Sequence, residues 1–240
     1  MNLTFHIIKK DLRRMSWALA VWAACGLYLM LGAKLSIVDG SIADRLRIIS
    51  IFVFAVMSFA LVSGIVQEDG LTESDVFWRT RPTSAARLIA AKLSLLLPLF
   101  VLVPIFVIAV NKSSVTTLTL RDFGYMGLSL LAVTLSCAAF ASCSKDLVRC
   151  VTLAVLSVLV CSVLGSWLER YGTRLPRGVR VPAQGAKAVA ALLLCIAMSS
   201  AVLANQYFGK RLKLSFGFIG AAVIGAALIL NFWTWDFLPR

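Results

Sequence analysis

Residues 67–92, QEDGLTESDVFWRTRPTSAARLIAAK, form the longest strongly polar stretch in an otherwise apolar chain. The stretch holds four of the chain's eleven acidic residues and is also rich in arginine. Long apolar runs flank it on both sides, and runs of about 20 apolar residues are typical of membrane-spanning helices. The pattern predicts two membrane helices joined by a structured polar segment. We call residues 67–87 the connector.

The sequence of the connector predicts a short helix within it. Thr72 is suited to be an N-cap, and Asp75 three residues later completes a capping box. Pro82 has no N–H and disfavours the α conformation at Arg81, so the helix is expected to end near Thr80. An ordinary polar loop is the alternative interpretation of the same residues.

An aromatic pair, Phe77 and Trp78, lies in the middle of this predicted helix. Aromatic side chains in an otherwise polar surface segment are typical anchors of a protein interface. Burial in the lipid interface, where tryptophan is also common, is the alternative. The pair therefore indicates that the connector receives force from a partner protein or rests on the membrane.

The composition is that of an integral membrane protein. Of the 240 residues, 60% are hydrophobic and 15% are charged, and the mean hydropathy is +0.90. Soluble proteins have roughly 25% charged residues. The formal net charge is +13, but the basic residues lie at the ends of apolar runs. This placement favours contact with anionic lipid headgroups over binding to nucleic acid.

The sequence lacks the motifs of the common catalytic and metal sites. It contains no P-loop, no HExxH and no CxxC, and its one histidine is His6. The six cysteines are scattered, mostly in apolar runs, which favours buried thiols over disulfides or metal ligands. No ionisable residue lies near the middle of a span, which argues against a proton relay. We expect neither an enzyme nor a bound cofactor.

The apolar runs predict an all-α, polytopic membrane protein. Residues 1–15 suggest an amphipathic interfacial helix, with a plain basic flank as the alternative. Residues 16–210 would form a six-helix core, and residues 211–240 would contain a seventh span ending in an aromatic belt. Prolines in the third run predict a distortion there. The predicted spans are 16–37, 47–66, 88–110, 124–143, 148–168, 187–208 and 214–234.

The orientation is predicted from the basic residues that flank the spans. The N-terminus is expected on the cytoplasmic side, because the first helix usually dominates and residues 9–14 form the strongest basic flank. The two sides nevertheless carry nearly equal numbers of Lys and Arg, since the loop 169–187 is basic and would face outward. That loop is interpreted as solvated, with binding of anionic lipid or an acidic substrate as the alternative.

The connector resembles the cytoplasmic segment that follows the second membrane helix in ABC-2 type permeases. The likeness is carried by FWRTRP at residues 77–82, then Arg87-Leu88 and Ala91-Lys92. The phrase NQYFGKRLKLS at residues 205–215 gives weaker support. Over the remaining chain the resemblance is one of architecture, and longer members of the family continue beyond a seventh span.

This resemblance implies the permease subunit of a transporter in a bacterial inner membrane. The subunit would work as a homodimer or heterodimer and move an unidentified substrate, with export the commoner direction. Energy would come from a separate ATPase subunit that pushes the connector. A membrane anchor or assembly factor without transport is the alternative. The coupling positions that the resemblance implies are Asp75, Phe77, Trp78, Arg79, Thr80, Arg81 and Pro82.

Overall fold

The computed structural model of the chain describes residues 3–32, 40–67, 85–112, 119–144, 146–172, 184–209 and 211–232. These parts of the chain are almost entirely helical and contain no strand. Two π-helical turns, Pro98–Leu102 and Asn205–Gly209, interrupt the α-helices. The α-helices are α1 (Leu3–Arg14), α2 (Ser16–Gly32), α3 (Gly40–Gln67), α4 (Ala85–Leu97), α5 (Val103–Lys112), α6 (Leu120–Cys143), α7 (Leu147–Gly172), α8 (Gln184–Ala204) and α9 (Leu212–Phe232).

Six helical stretches in the described parts are long and apolar enough to cross a membrane. They confirm the predicted all-α, multi-pass membrane fold. The α4 and α5 helices count as one stretch through their π-turn, and α8 counts with the π-turn that follows it. The six are Ile48–Gln67, Ala86–Ala109, Leu120–Cys143, Leu147–Leu164, Gly185–Gly209 and Leu212–Leu230.

The six long stretches are not the six predicted core spans. The seventh predicted run is among them as α9, whereas the first run is represented by α2, which has 17 residues. At 1.5 Å per residue α2 is about 26 Å long, slightly less than the roughly 30 Å of a bilayer's hydrocarbon core. Residues 33–37 of the predicted first run lie outside the described residues.

Local sequence explains two features of the helices. The α6 helix begins with a capping box, in which Thr119 Oγ1 accepts a bond from the Asp122 N–H at 3.3 Å and Asp122 Oδ2 accepts one from the Thr119 N–H at 3.0 Å. The distortion predicted for the third run takes the form of the π-turn that starts at Pro98. Proline has no N–H to donate and its ring clashes with the carbonyl four residues earlier, which favours a change in the local helical repeat.

The core is a continuous set of side chains from α2, α3, α4, α6 and α8. Small residues dominate where α6 passes its neighbours, and Ala138, Ala139 and Ala141 are almost completely buried. Small side chains allow helix backbones to approach closely in a membrane, where van der Waals packing drives helix association. The α6 helix packs on α3 and α8, α8 packs on α9, and α7 rests mainly on α9.

Candidate functional site

A buried ion pair joins the N-terminal helix to the helix that follows the connector. The Lys92 ammonium group on α4 donates to Asp11 Oδ2 on α1 at 2.7 Å. It also donates to the backbone carbonyl of Ile65 on α3 at 2.7 Å. Lys92 is 3% exposed and Asp11 is 2% exposed, so both charges are shielded from solvent. One side chain thus fastens three helices together.

The burial of Asp11 follows from the spacing of residues on α1. Ile8, Asp11 and Met15 are separated by three and four positions and share one face of the helix. Ile8 and Met15 pack against the hydrophobic core, which carries Asp11 inward with them. A carboxylate brought into such a place needs an opposite charge, because transferring an isolated charge out of water is costly. Lys92 supplies that charge.

The ion pair lies close to both ends of the connector. Ile65 lies two residues before the connector, and Lys92 lies five residues after it on α4, which begins within the connector at Ala85. The Lys92 side chain therefore ties together the chain that enters the connector and the chain that leaves it. We call Asp11, Ile65 and Lys92 the clasp. A displacement of the connector would act on α1, α3 and α4 together, because the clasp joins all three.

Further polar contacts continue from the clasp across the same end of the bundle. On α3, Gln67 donates to the Ser144 hydroxyl at 3.0 Å. Next to it, the hydroxyl of Ser63 lies 3.5 Å from the thiol of Cys150 on α7. Since Gln67 ends α3 and Ser144 caps the end of α6, this contact lies at the end of the bundle from which the connector emerges.

The turn between α8 and α9 completes this polar end. Asn205 and Gln206 both donate to the Ser215 hydroxyl, at 2.7 and 2.9 Å. Asn205 also donates to the backbone carbonyl of Arg211 at 2.8 Å, and Gln206 reaches the Cys143 sulfur at 3.8 Å. Gln206 is 2% exposed and Ser215 is fully buried. The network satisfies polar groups that would otherwise be costly to bury and fixes the start of α9.

A side cavity of about 390 Å³ lies among α3, α6, α7, α8 and α9. None of the described residues that line it is charged, and most are alanine, valine, leucine or phenylalanine. Its Ser136 and Ser199 hydroxyls bond each other at 3.1 Å, and Ser157 donates to the Leu153 carbonyl. The cavity is of a size that holds small ligands and offers them mainly apolar contacts.

The coupling positions implied by the resemblance, Asp75, Phe77, Trp78, Arg79, Thr80, Arg81 and Pro82, lie outside the described residues. The predicted capping box at Thr72 lies outside them too. The structure describes the chain on either side of these residues, up to Gln67 and from Ala85 onward. Their roles therefore stay predictions.

A transport pathway would also be expected to expose hydroxyl residues of the spans to a cavity or an interface. Four hydroxyl residues of the predicted spans, Ser58, Ser63, Thr134 and Ser136, are the candidates for this role, and Ser136 lines the side cavity. The Ser58 hydroxyl accepts a bond from the indole of Trp22, the Ser63 hydroxyl contacts Cys150, and Thr134 is buried in the bundle. Ser58, Ser63 and Thr134 are not among the residues that line this cavity, and the Ser136 hydroxyl is itself bonded to Ser199.

The clasp is the feature that sequence reasoning missed. In the sequence, Lys92 is marked only as part of the segment that carries the family resemblance, and nothing there assigns it a partner. The available signal was Asp11, an acid between Ile8 and Met15 on the apolar face of an amphipathic helix. Such an acid requires a counter-ion from another element, but the sequence does not say which of the chain's many basic residues provides it.

Comparison with known proteins adds no identification. No family model matches the chain, and no curated protein or solved structure is significantly similar to it. In the described parts of the chain, no three His, Cys, Asp or Glu residues form a group that could hold a metal ion. The candidate site is therefore defined by the geometry of the clasp and by its place at the ends of the connector.

Proposed function

We propose that this chain is the membrane-spanning permease subunit of an ATP-binding cassette transporter, energised by a separate ATPase that docks on the connector. The clasp is the observation that carries the proposal. A segment that receives force is useful only if its ends are fastened to the helices that must move. Here one buried lysine fastens both ends of the connector to each other and to α1. The FWRTRP motif lies between those two ends.

In the proposed mechanism, closure of the ATPase pair on ATP displaces the connector toward the membrane. The clasp passes this displacement to α1, α3 and α4. The polar contacts of Gln67, Ser144 and Ser215 carry it to α6 and α9. The proposed setting is a bacterial inner membrane with the N-terminus in the cytoplasm, which puts the clasp and the connector on the side where ATP is available.

The proposal is tested by capture of the ATPase from detergent-solubilised membranes of the native host, with the tagged full-length chain as bait and no added ATP. We expect a P-loop ATPase to be recovered with the wild-type chain and lost with Phe77→Ala/Trp78→Ala. The matched control is Phe106→Ala/Tyr125→Ala, which removes two exposed aromatic side chains. Phe106 lies on α5 and Tyr125 lies near the start of α6, at the opposite end of that helix from Ser144. Capture that is equal for all three proteins, or absent for all three, would contradict the proposal.

One observation favours the alternative of a membrane anchor or assembly factor. The exposed surface of α7 is formed mainly by large aliphatic side chains, including Val148, Val155, Leu156, Val158 and Leu159. A largely apolar surface of this kind suits lipid or a neighbouring membrane protein. Capture of an envelope complex without an ATPase, unaffected by the change at Phe77 and Trp78, would support this alternative.

A further inference from the structure

We propose that the exposed basic face of α1 is a binding site for the phosphate headgroups of anionic lipids. The site is formed by Lys9, Lys10, Arg13 and Arg14, and we call these four residues the basic quartet. The inference does not depend on an ATPase partner, since it rests on the charges and exposure of α1 itself.

The geometry of the quartet suits a phosphate group. Lys9 and Arg13 are four residues apart, as are Lys10 and Arg14, so the four side chains form two neighbouring columns on one side of the helix. All four residues are exposed. They line a surface depression of about 500 Å³, and no other described residue lines it. Lysine and arginine side chains can converge on a phosphate there, with arginine able to donate two parallel bonds.

The acidic residue of α1 lies on a different face of the helix from Lys9 and Arg13. Asp11 is the one acidic residue in the sequence of this helix. It is buried on another face, and its carboxylate is bonded to Lys92. The clasp thus has a second effect, because it neutralises the acid and fixes the rotation of α1 so that the quartet faces outward.

Exposed apolar side chains accompany the quartet and favour a lipid over an acidic protein. Phe5 is 66% exposed and Leu12 is 36% exposed, and their separation of seven residues puts them on one face of α1 beside Lys9. Trp17, at the start of α2, is 79% exposed. Cations, aromatic rings and an aliphatic side chain together are the composition of helices that lie among headgroups with their apolar side chains in the acyl region.

The place of α1 along the chain agrees with this position. The α1 helix ends at Arg14, and the apolar helix α2 begins at Ser16. Backbone bonds from Met15 N to Asp11 O and from Leu19 N to Met15 O, of 3.0 and 2.9 Å, continue across the junction. The quartet therefore lies within about two turns of the start of the apolar helix α2.

The experiment measures retention of lipid by the full-length chain in detergent micelles. Native mass spectrometry would follow binding of phosphatidylglycerol and, in a parallel series, of zwitterionic phosphatidylcholine. The test variant is Lys9→Gln/Arg13→Gln. The matched control is Arg211→Gln/Lys213→Gln, which removes two exposed basic side chains at the start of α9, at the same end of the bundle. A charge-preserving variant, Lys9→Arg/Arg13→Lys, tests whether charge or shape matters.

We expect the test variant to bind phosphatidylglycerol about 30-fold more weakly at low salt, since each basic side chain near a membrane surface contributes about a fivefold factor. Phosphatidylcholine binding should be unchanged. The control and the charge-preserving variant should behave like the wild type. Binding should also weaken as salt is raised, because the interaction is screened.

Two outcomes would overturn the proposal. Equal loss of phosphatidylglycerol from the test and control variants would mean that general positive charge holds the lipid and that α1 is no site. Unchanged lipid binding, together with loss of a captured acidic protein from the test variant alone, would mean that the quartet docks a protein. A thermal unfolding curve of each variant shows whether a loss of phosphatidylglycerol binding comes from misfolding. If the test variant misfolds, the charge-preserving variant is used instead, and a loss of phosphatidylglycerol binding by that variant would contradict the proposal.

Discussion

Lys92 places an ammonium group where water does not reach, and this makes it the residue whose replacement should be most costly. Lys92→Met removes the cation from the Asp11 carboxylate and leaves a buried negative charge. Breaking a buried ion pair by changing one partner typically costs about 3–5 kcal/mol, so we expect a loss of that size. Titration of purified protein in mixed micelles with a denaturing detergent gives the free energy of unfolding that checks this.

Two companion variants make the Lys92 experiment specific. Asp11→Leu/Lys92→Met replaces both charges by apolar side chains and should recover most of the lost stability. Arg149→Met breaks the Asp146–Arg149 pair, whose side chains are 66% and 69% exposed, and should change stability by less than about 0.5 kcal/mol. A double variant less stable than Lys92→Met would show that the pair does not couple in the way described.

Ser215 offers a second test at the scale of one residue. Its hydroxyl accepts bonds from both Asn205 and Gln206, and Gln206 is buried. Ser215→Ala removes this acceptor, and we expect the unfolding free energy to fall by about 1–3 kcal/mol, the cost of a buried donor that loses its bond. Ser129→Ala is the control, because Ser129 bonds only the carbonyl of Tyr125 one turn earlier. Equal effects of the two changes would argue against the network at the α8–α9 turn.

The α2 helix packs on its neighbours through Trp22. The Trp22 indole N–H donates to Ser58 at 2.7 Å, and its ring stacks on Phe54 at a centroid distance of 5.0 Å and contacts Phe100 at 5.3 Å. The hydrogen bond and the ring contacts of Trp22 join α2 to α3 and to the π-turn that starts at Pro98. We expect Trp22→Ala to lower the unfolding free energy by about 3–5 kcal/mol.

The test of the α2 contact uses a graded pair of changes. Trp22→Phe keeps an aromatic ring and loses the hydrogen bond, so its cost should be clearly smaller than that of Trp22→Ala. Trp17→Ala, at a 79% exposed position on the same helix, should leave the unfolding transition in micelles close to that of the wild type. If Trp17→Ala proved as costly as Trp22→Ala, α2 would not be held by this contact.

The helices also show which structural features could be predicted from the sequence and which could not. Apolar length predicted the helices, because every backbone group in lipid must bond within its own helix and long apolar runs leave no other choice. Pro98 predicted a distortion, although its form as a π-turn depends on packing. Thr119 and Asp122 have the same three-residue spacing as the predicted capping box at Thr72 and Asp75, and they form a capping box at the start of α6. The clasp could not be predicted, because Lys92 and Asp11 are 81 positions apart in the sequence. Contacts between residues so far apart depend on the tertiary packing of the helices.

For the whole molecule, the number of crossings is the property that most constrains function. If α2 crosses the membrane together with the six longer stretches, the number is odd and the two termini lie on opposite sides. With the N-terminus in the cytoplasm, as its basic flank predicts, the C-terminus lies outside. The connector, the clasp and the basic quartet then share the cytoplasmic side, where an ATPase and the anionic leaflet could both act on α1.

Reporter fusions after Arg240 test this arrangement. Alkaline phosphatase folds only outside the cytoplasm and green fluorescent protein is bright when fused inside, so we expect an active phosphatase and a dark fluorescent fusion. Fusions after Gln67 give the control, because that residue ends α3 next to the clasp and should report the cytoplasm. The opposite result at both sites would mean that the orientation in the membrane is reversed. The clasp would then lie outside the cytoplasm, where no ATP is available. A cytoplasmic signal at both sites would mean that the crossings after α3 are even in number, so that α9 or one of its predecessors does not span the membrane.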